Sequence, residues 1–508
     1  MNRTLTPTLP PGVLPRLEAY AGRFRPDFPL ARQADWSLVY LRGLLQDGER
    51  KSIEPLVGRV DLPPQLRVKN PDQCLQNFVN QADWDEQAVW RRYRSLMAAA
   101  FADPEAVFVI DDTTFPKQGK HSVGVQRQHC GALGKKANCQ AAVSVHYAAP
   151  RGHCPLAMRL YLPQSWLGDA DRLDKAAVPA PSREMKTKGQ IALELLDQVR
   201  GEGLAGRVVV ADSGYGVSKP FRDGLAGRGL HYVVGVTEEM VVFTEEPRWV
   251  TPQPSRGGRP RTRPCLAEGS PKPASLQDLA SRLPREPMTW RRGTKGDLTG
   301  KFSWTRAWPA QGWATGDCAG ADPIWLLIEE QADGQIKYAY SNLPAETSKG
   351  RGVLLWRSRW PVEQGYQQMK EELGLDHFEG RSWRGFHHHA CLVMLAFGFL
   401  ALERLRIAPT PVTPGKKGRP RRSSRCRGSV GPCRSYWLRA VVAAAGLVRS
   451  PSRCRRRPPG PPKLLFACSY GVVLSPLADS TSWGMASGRS LATWAPCWRC
   501  RAGRPTCS

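Results

Sequence analysis

The chain has 508 residues, with 73 Lys and Arg against 45 Asp and Glu, a formal net charge of +28 and an isoelectric point near 9.9. That length predicts two or three domains rather than one, and that charge predicts a polyanionic partner, with nucleic acid ahead of a membrane surface. A secreted, disulfide-stapled or membrane-spanning protein is excluded as an expectation: the first residues lack the apolar core of a secretory signal, the longest apolar run, Cys391 to Leu402, is too short for a bilayer, and cysteines in a long basic chain of this kind are expected to be reduced.

Residues 14–100 read as a helical N-terminal domain, with apolar positions three and four apart in the run from Leu30 to Leu45 and again from Trp84 to Phe101. Arg91, Arg92 and Arg94 lie on the second run, either as a solvated face or as part of a DNA-end-binding surface. From about residue 105 the pattern turns to strands, at 107–111, 140–147 and 156–162. A helix from Gly189 follows, then a strand ending at Asp212, a helix around 217–228 and a strand at 231–236. Cys130, Cys139 and Cys154 lack paired C-x2-C spacing, so zinc is not expected there. Lys117, Lys120, His121 and Arg127 follow the first strand, as a solvated loop or as contacts to a DNA backbone.

Between 237 and 345 the chain is rich in Trp, Gly and Pro, with strand-like runs at 324–328 and 336–340. A structureless connector this long is implausible in a compact domain. Trp290, Trp304, Trp308 and Trp313 would fill a small β core or stack on an unpaired base. Two islands, Gly258-Arg259-Pro260-Arg261 and Gly418-Arg419-Pro420-Arg421, resemble an A·T minor-groove hook, although basic linker explains them as well.

The segment from Trp356 to Lys370 carries the densest signal. Arg359, Glu363 and Lys370 stand four and seven apart, which on a helix of 3.6 residues per turn brings all three to one face. Upstream, Asp111 and Asp112 end the run Phe108-Val109-Ile110, and Asp212 ends Val208-Val209-Val210-Ala211. Side chains alternate across a strand, so only one of Asp111 and Asp112 can face a site shared with Asp212. Two strand-end aspartates and one helical glutamate are the hard oxygen donors that hold Mg²⁺ with substrate phosphates. In-line cutting of a phosphodiester uses two such ions about 3.5–4 Å apart. Converging carboxylates repel one another, and at least one pKa should rise.

At these residues the chain resembles the DDE transposases of bacterial insertion sequences, whose third carboxylate sits in a Y-R-E-K signature. Trp356, Arg359, Glu363 and Lys370 reproduce every interval, with Trp in place of Tyr at the first position. The surrounding words, from Ile110 to Gln128, from Val210 to Gly216 and from Trp360 to Arg381, look closest to the insertion sequence 701 group, and the resemblance covers residues 15–405. It implies an α/β fold with an RNase H-like catalytic core at 101–405 and a β-rich insertion at about 237–345. It also implies that Asp111 (with Asp112 as the alternative), Asp212 and Glu363 are catalytic and bind two Mg²⁺ or Mn²⁺ ions. Arg359 and Lys370 would hold phosphate, and Trp356 would pack beside DNA. Implied partners are double-stranded DNA, as element ends and target, and a second copy of the chain on that DNA, with no membrane. The expected location is the bacterial cytoplasm, associated with the nucleoid. Two alternatives remain: a catalytically inactive DNA-binding remnant of a transposase, and an RNase H-like nuclease that hydrolyses without joining.

His387, His388 and His389 open the apolar helix after the glutamate. Neighbours on a helix point about 100° apart, which suits packing or a phosphate contact better than a metal. The tail, 406–508, is of another kind: from Ile407 on it has 19 Lys and Arg against one acid, Asp479, and seven of the chain's 14 cysteines. It lacks the periodicity of a packed domain and is expected to be disordered, as a DNA-binding arm or an out-of-frame gene end.

Overall fold

Apolar residues spaced three and four apart turn residues 13–101 into five helices: α1 (Val13–Gly22), α2 (Ala31–Leu45), α3 (Ile53–Val57), α4 (Pro71–Asn80) and α5 (Glu86–Phe101). Local chemistry sets their ends. Pro71 opens α4, where a missing N–H costs nothing, and the Asp85 side chain accepts from the Gln87 N–H to start α5. The computed structural model describes residues 12–252, 263–293 and 296–407, all within one unit. The two Arg-Pro islands and the basic tail from residue 408 lie outside the described residues.

Fourteen strands and nine helices follow among the described residues, most of them built around one mixed sheet. They are β1 (Val107–Pro116), β2 (Gln126–Cys130), β3 (Lys135–Ala149), β4 (Gly152–Leu160), α6 (Gln164–Leu167), α7 (Ala170–Lys175), α8 (Lys188–Arg200), β5 (Val208–Ala211), α9 (Ser213–Gly216), α10 (Lys219–Ala226), β6 (His231–Val236), β7 (Val241–Phe243), β8 (Trp249–Val250), β9 (Cys265–Leu266), β10 (Ala274–Ser275), α11 (Leu276–Arg282), β11 (Glu286–Gly293), β12 (Gly296–Pro309), β13 (Ile324–Glu330), β14 (Ile336–Ser341), α12 (Lys349–Arg357), α13 (Trp360–Gln367) and α14 (Trp383–Ile407), so that the strands number 14 in all. The central order is β4-β3-β1-β5-β6. β1 is antiparallel to β3 and parallel to β5, and β5 is parallel to β6. The parallel strands are apolar on both faces, as covered strands must be.

The 237–345 segment continues this sheet. β14 pairs antiparallel with β6, β13 with β14 and β12 with β13, giving 12 hydrogen-bonded strands. Trp304 stacks on Trp325 at 4.7 Å, Trp290 meets Phe302 edge-on, and Trp308 packs on a small cluster around Phe243. Of the four tryptophans singled out from the sequence, only Trp313 is exposed, at 38%.

α14 packs against α2, α4, α5 and β4. It is long and apolar enough to cross a bilayer, which the shorter run Cys391–Leu402 did not convey, yet 94% of its apolar window is buried inside the protein. The three histidines at its start brace this packing. His387 Nδ1 lies 2.9 Å from the Trp383 carbonyl, the two ring nitrogens of His388 each lie 3.0 Å from the Val79 and Trp84 carbonyls, and His389 Nδ1 lies 2.8 Å from the Tyr40 hydroxyl. Nor is the arginine row of α5 a solvated face throughout. Arg94 is fully buried and pairs with Glu202, Arg92 pairs with Asp27, and Arg91 alone of the three is exposed.

Candidate active site

Register brings the two aspartates together. Ile110 stands level with Ala211 across the parallel β1–β5 pair, so the next step along both strands sets Asp111 beside Asp212. Residues level with one another on neighbouring strands share a face about 4.8 Å apart. Asp111 and Asp212 therefore converge where β5 ends. Asp112 points to the opposite face and pairs with Lys188 Nζ at 2.7 Å.

The pair sits in an unfavourable field. Burial pushes the Asp111 carboxyl up to about 7 against the pull of Arg359, and the charges of Asp212 and Asp112 push the same way as burial. Burial also raises Asp212, whose Oδ1 is buried without a hydrogen-bond partner. Two phenols close the floor. Tyr366, on α13, exchanges a hydrogen bond with Ser144, which stands opposite Asp111 across the β1–β3 ladder. The Tyr215 hydroxyl is buried and unpartnered. Both phenols are held well above their ordinary range, first by burial and then by the nearby aspartates.

The turn after Asp212 has no room for a side chain at Gly216. A Cβ on Gly216 would lie 1.9 Å from the Gly235 carbonyl oxygen of β6, so α9 reaches β6 only with glycine there. Gly216→Ala is expected to cost about 3 kcal/mol, as overpacking against an immovable backbone does. A urea-denaturation midpoint equal to that of the unmodified chain would contradict this.

Glu363 reaches the aspartates through Arg359. The Arg359 guanidinium donates to Asp111 Oδ2 at 3.4 Å and to Glu363 Oε1 at 2.9 Å, and so stands as a cation between the two acids. The single helical face expected for Arg359, Glu363 and Lys370 does not form. Arg359 caps α13, which ends at Gln367, and Lys370 falls in a π-helical turn, Gln368–Glu372. The wider turn carries Lys370 to β1, where its ammonium donates to the Thr114 carbonyl at 3.0 Å and burial lowers its pKa.

Trp356 also departs from expectation. It is on the preceding helix, α12, only 9% exposed, and its indole N–H donates to Glu329 Oε2 at 2.7 Å. Arg357 pairs with the same fully buried carboxylate of β13 and lies over Trp290 at 4.2 Å. β13 thereby grips the last turn before Arg359. Sequence reasoning missed Lys188, Ser144, Tyr215, Tyr366 and Glu329. Tyr366 alone had a local signal, three residues beyond Glu363 on the same helix.

The family described as DDE superfamily endonuclease matches residues 23–297, more than half of the chain. The chain belongs to the DDE superfamily of endonucleases. It is also 25% identical over 364 residues, 71% of its length and 81% of the relative's, to the probable transposase for insertion sequence element IS701 of Microchaete diplosiphon.

The donor chemistry of this DDE endonuclease fits a hard divalent cation. Its converging groups are carboxylate oxygens, one of them buried without a partner, and a cation already bridges Asp111 and Glu363 in the form of Arg359. In this conformation no group of three or more His, Cys, Asp or Glu among the described residues is closed tightly enough to hold a metal.

Proposed function

We propose that this chain is the transposase of an insertion sequence, a DDE nuclease and strand transferase with an RNase H-like core that acts on double-stranded DNA as at least a dimer. The observation that carries the reading is the convergence of Asp111 and Asp212 at the end of β5, with Glu363 tied to Asp111 by Arg359. The antiparallel–parallel strand order β4-β3-β1-β5-β6 supports the core assignment, and the basic charge supports the substrate.

Asp111, Asp212 and Glu363 would hold Mg²⁺ or Mn²⁺, two ions being the expected number. When bound, these would activate the attacking oxygen and stabilise the leaving one. Arg359 would turn from the carboxylates to a phosphate, and Lys370 would face the backbone beyond Thr114. Trp356, gripped by Glu329, orients the Arg359 turn rather than touching DNA. In the reaction, water attacks the phosphodiester at the element end and frees a 3′-hydroxyl, which then attacks a target phosphodiester and displaces its 3′ oxygen.

Incubation of the full chain with DNA carrying its gene's flanking repeats tests the reading. Cleavage that appears with Mg²⁺ or Mn²⁺ and vanishes with EDTA, followed by joined products, is the expected result. Cutting without joining would favour a plain nuclease, and binding without cutting an inactive remnant.

A further inference from the structure

No Asp or Glu occurs between Thr113 and Gly168. Within that run β2 and the start of β3 form a hairpin with Arg127 opposite Asn138 and His129 opposite Lys136. Opposed residues share a face, and so do residues two apart on one strand, spaced about 6.7 Å. Arg127, His129 and Lys136 therefore line one face, Lys135 follows the turn with its side chain on the other face opposite Cys130, and all four are exposed. None of the four side chains makes an ion pair or hydrogen bond within the described residues.

The hairpin is attached to the candidate active site. Its turn, Gly131–Leu133, packs on β1, where the Ala132 N–H donates to Thr114 Oγ1 at 3.2 Å. Thr114 lies three residues beyond Asp111 on the same strand, about 10 Å away. Lys370 donates to the same residue's carbonyl, and Lys188 pairs with Asp112. Cations thus lead from the carboxylates to the hairpin. β2 is also the outermost strand, and charges on an edge strand discourage pairing with other chains. Acids would serve that purpose equally well, yet the run holds only bases.

We propose that this hairpin face is a docking surface for the phosphate backbone of duplex DNA beside the cut, gripping it without reading sequence. The proposal rests on the DNA-cutting function above. Each phosphate neutralised contributes about 0.9 to the slope of log affinity against log salt. Contributions from other basic regions add to that slope without masking the loss of two.

The test measures anisotropy of a short fluorescent duplex of arbitrary sequence, in EDTA, against salt, for the full chain and three double variants. Arg127→Glu/Lys136→Glu and Arg127→Gln/Lys136→Gln should each flatten the slope by about two and weaken binding at least about tenfold near physiological salt. Arg151→Glu/Arg207→Glu, at the opposite end of the sheet, makes the same charge change as the first pair and should leave the slope unchanged. Thermal midpoints exclude misfolding. An unchanged slope in the hairpin variants, or an equal loss in the Arg151/Arg207 pair, overturns the proposal alone. A chain that binds no duplex at any salt overturns the DNA-cutting function with it.

Discussion

Asp212→Asn is expected to remove DNA cleavage, by roughly 10³-fold or more, while making the protein harder to unfold. The two effects share one cause. The Asp212 carboxylate is raised above its ordinary pKa by burial, its Oδ1 has no partner, and Asp111 stands beside it under the same stress. At neutral pH a group with a raised folded-state pKa opposes folding, because the charge that folding disfavours is present. Asparagine keeps the shape and discards the charge, so about 1 kcal/mol of strain is relieved and the melting temperature rises on the order of 2 °C. Under the function proposed above, the same change removes a hard anionic ligand from the place where the reaction would need one. Cleavage kinetics and thermal melts on one preparation decide the matter. Retained activity would end the D-D-E assignment, and an inactive variant that melts lower would make Asp212 structural.

Acid should unfold the chain well before its carboxylates are protonated. Five histidines are held neutral by burial: His146 is pushed down to about 3, and His153, His387, His388 and His389 to about 4, from 6.5. A depressed histidine leaves stability intact above the unfolded-state value of 6.5. Below it the unfolded chain takes up a proton that the fold refuses, and stability falls until the folded value is reached. Each group then loses about 1.4 kcal/mol per pH unit, and five together approach the whole stability of a typical domain. Asp111 works in the opposite sense, since its carboxyl is raised to about 7 and regains stability as pH falls from 7 towards 4, and the raised Asp212 acts the same way; two groups offset only part of the loss from five. Urea midpoints measured from pH 7.5 to 4.5 should drop steeply below 6.5, and His388→Gln should flatten the curve. A midpoint independent of pH over that range would refute the account.

The elements legible in the sequence were those whose signal is local. Unbroken apolar runs ending in aspartate marked β1 and β5, and threefold and fourfold spacing marked α2 and α5. The choice between Asp111 and Asp112 was not legible, because alternation alone shows only that the two oppose each other; the register with β5 is a property of pairing. Lys370 illustrates a second limit. Its spacing from Glu363 suits one helical face, but spacing carries no mark of the π turn that diverts it to Thr114. Trp356 illustrates a third. Its interval from Arg359 matched the signature, while its partner, Glu329, comes from a strand 27 residues earlier and no local pattern joins them. Long strands such as β12 were hidden because polar residues interrupt their apolar positions.

The pairing of β14 with β6 bears on how this protein can change over evolutionary time. A segment looped out of a fold can be trimmed or exchanged with little effect on what surrounds it. Here removal would bare β6 as a largely apolar outer strand, an invitation to aggregation, and would take away the carboxylate that holds Trp356 and Arg357. The 237–345 segment and the strands that carry Asp111 and Asp212 are therefore expected to vary as one piece, with change concentrated in the turns and exposed faces while the β13–α12 junction stays fixed.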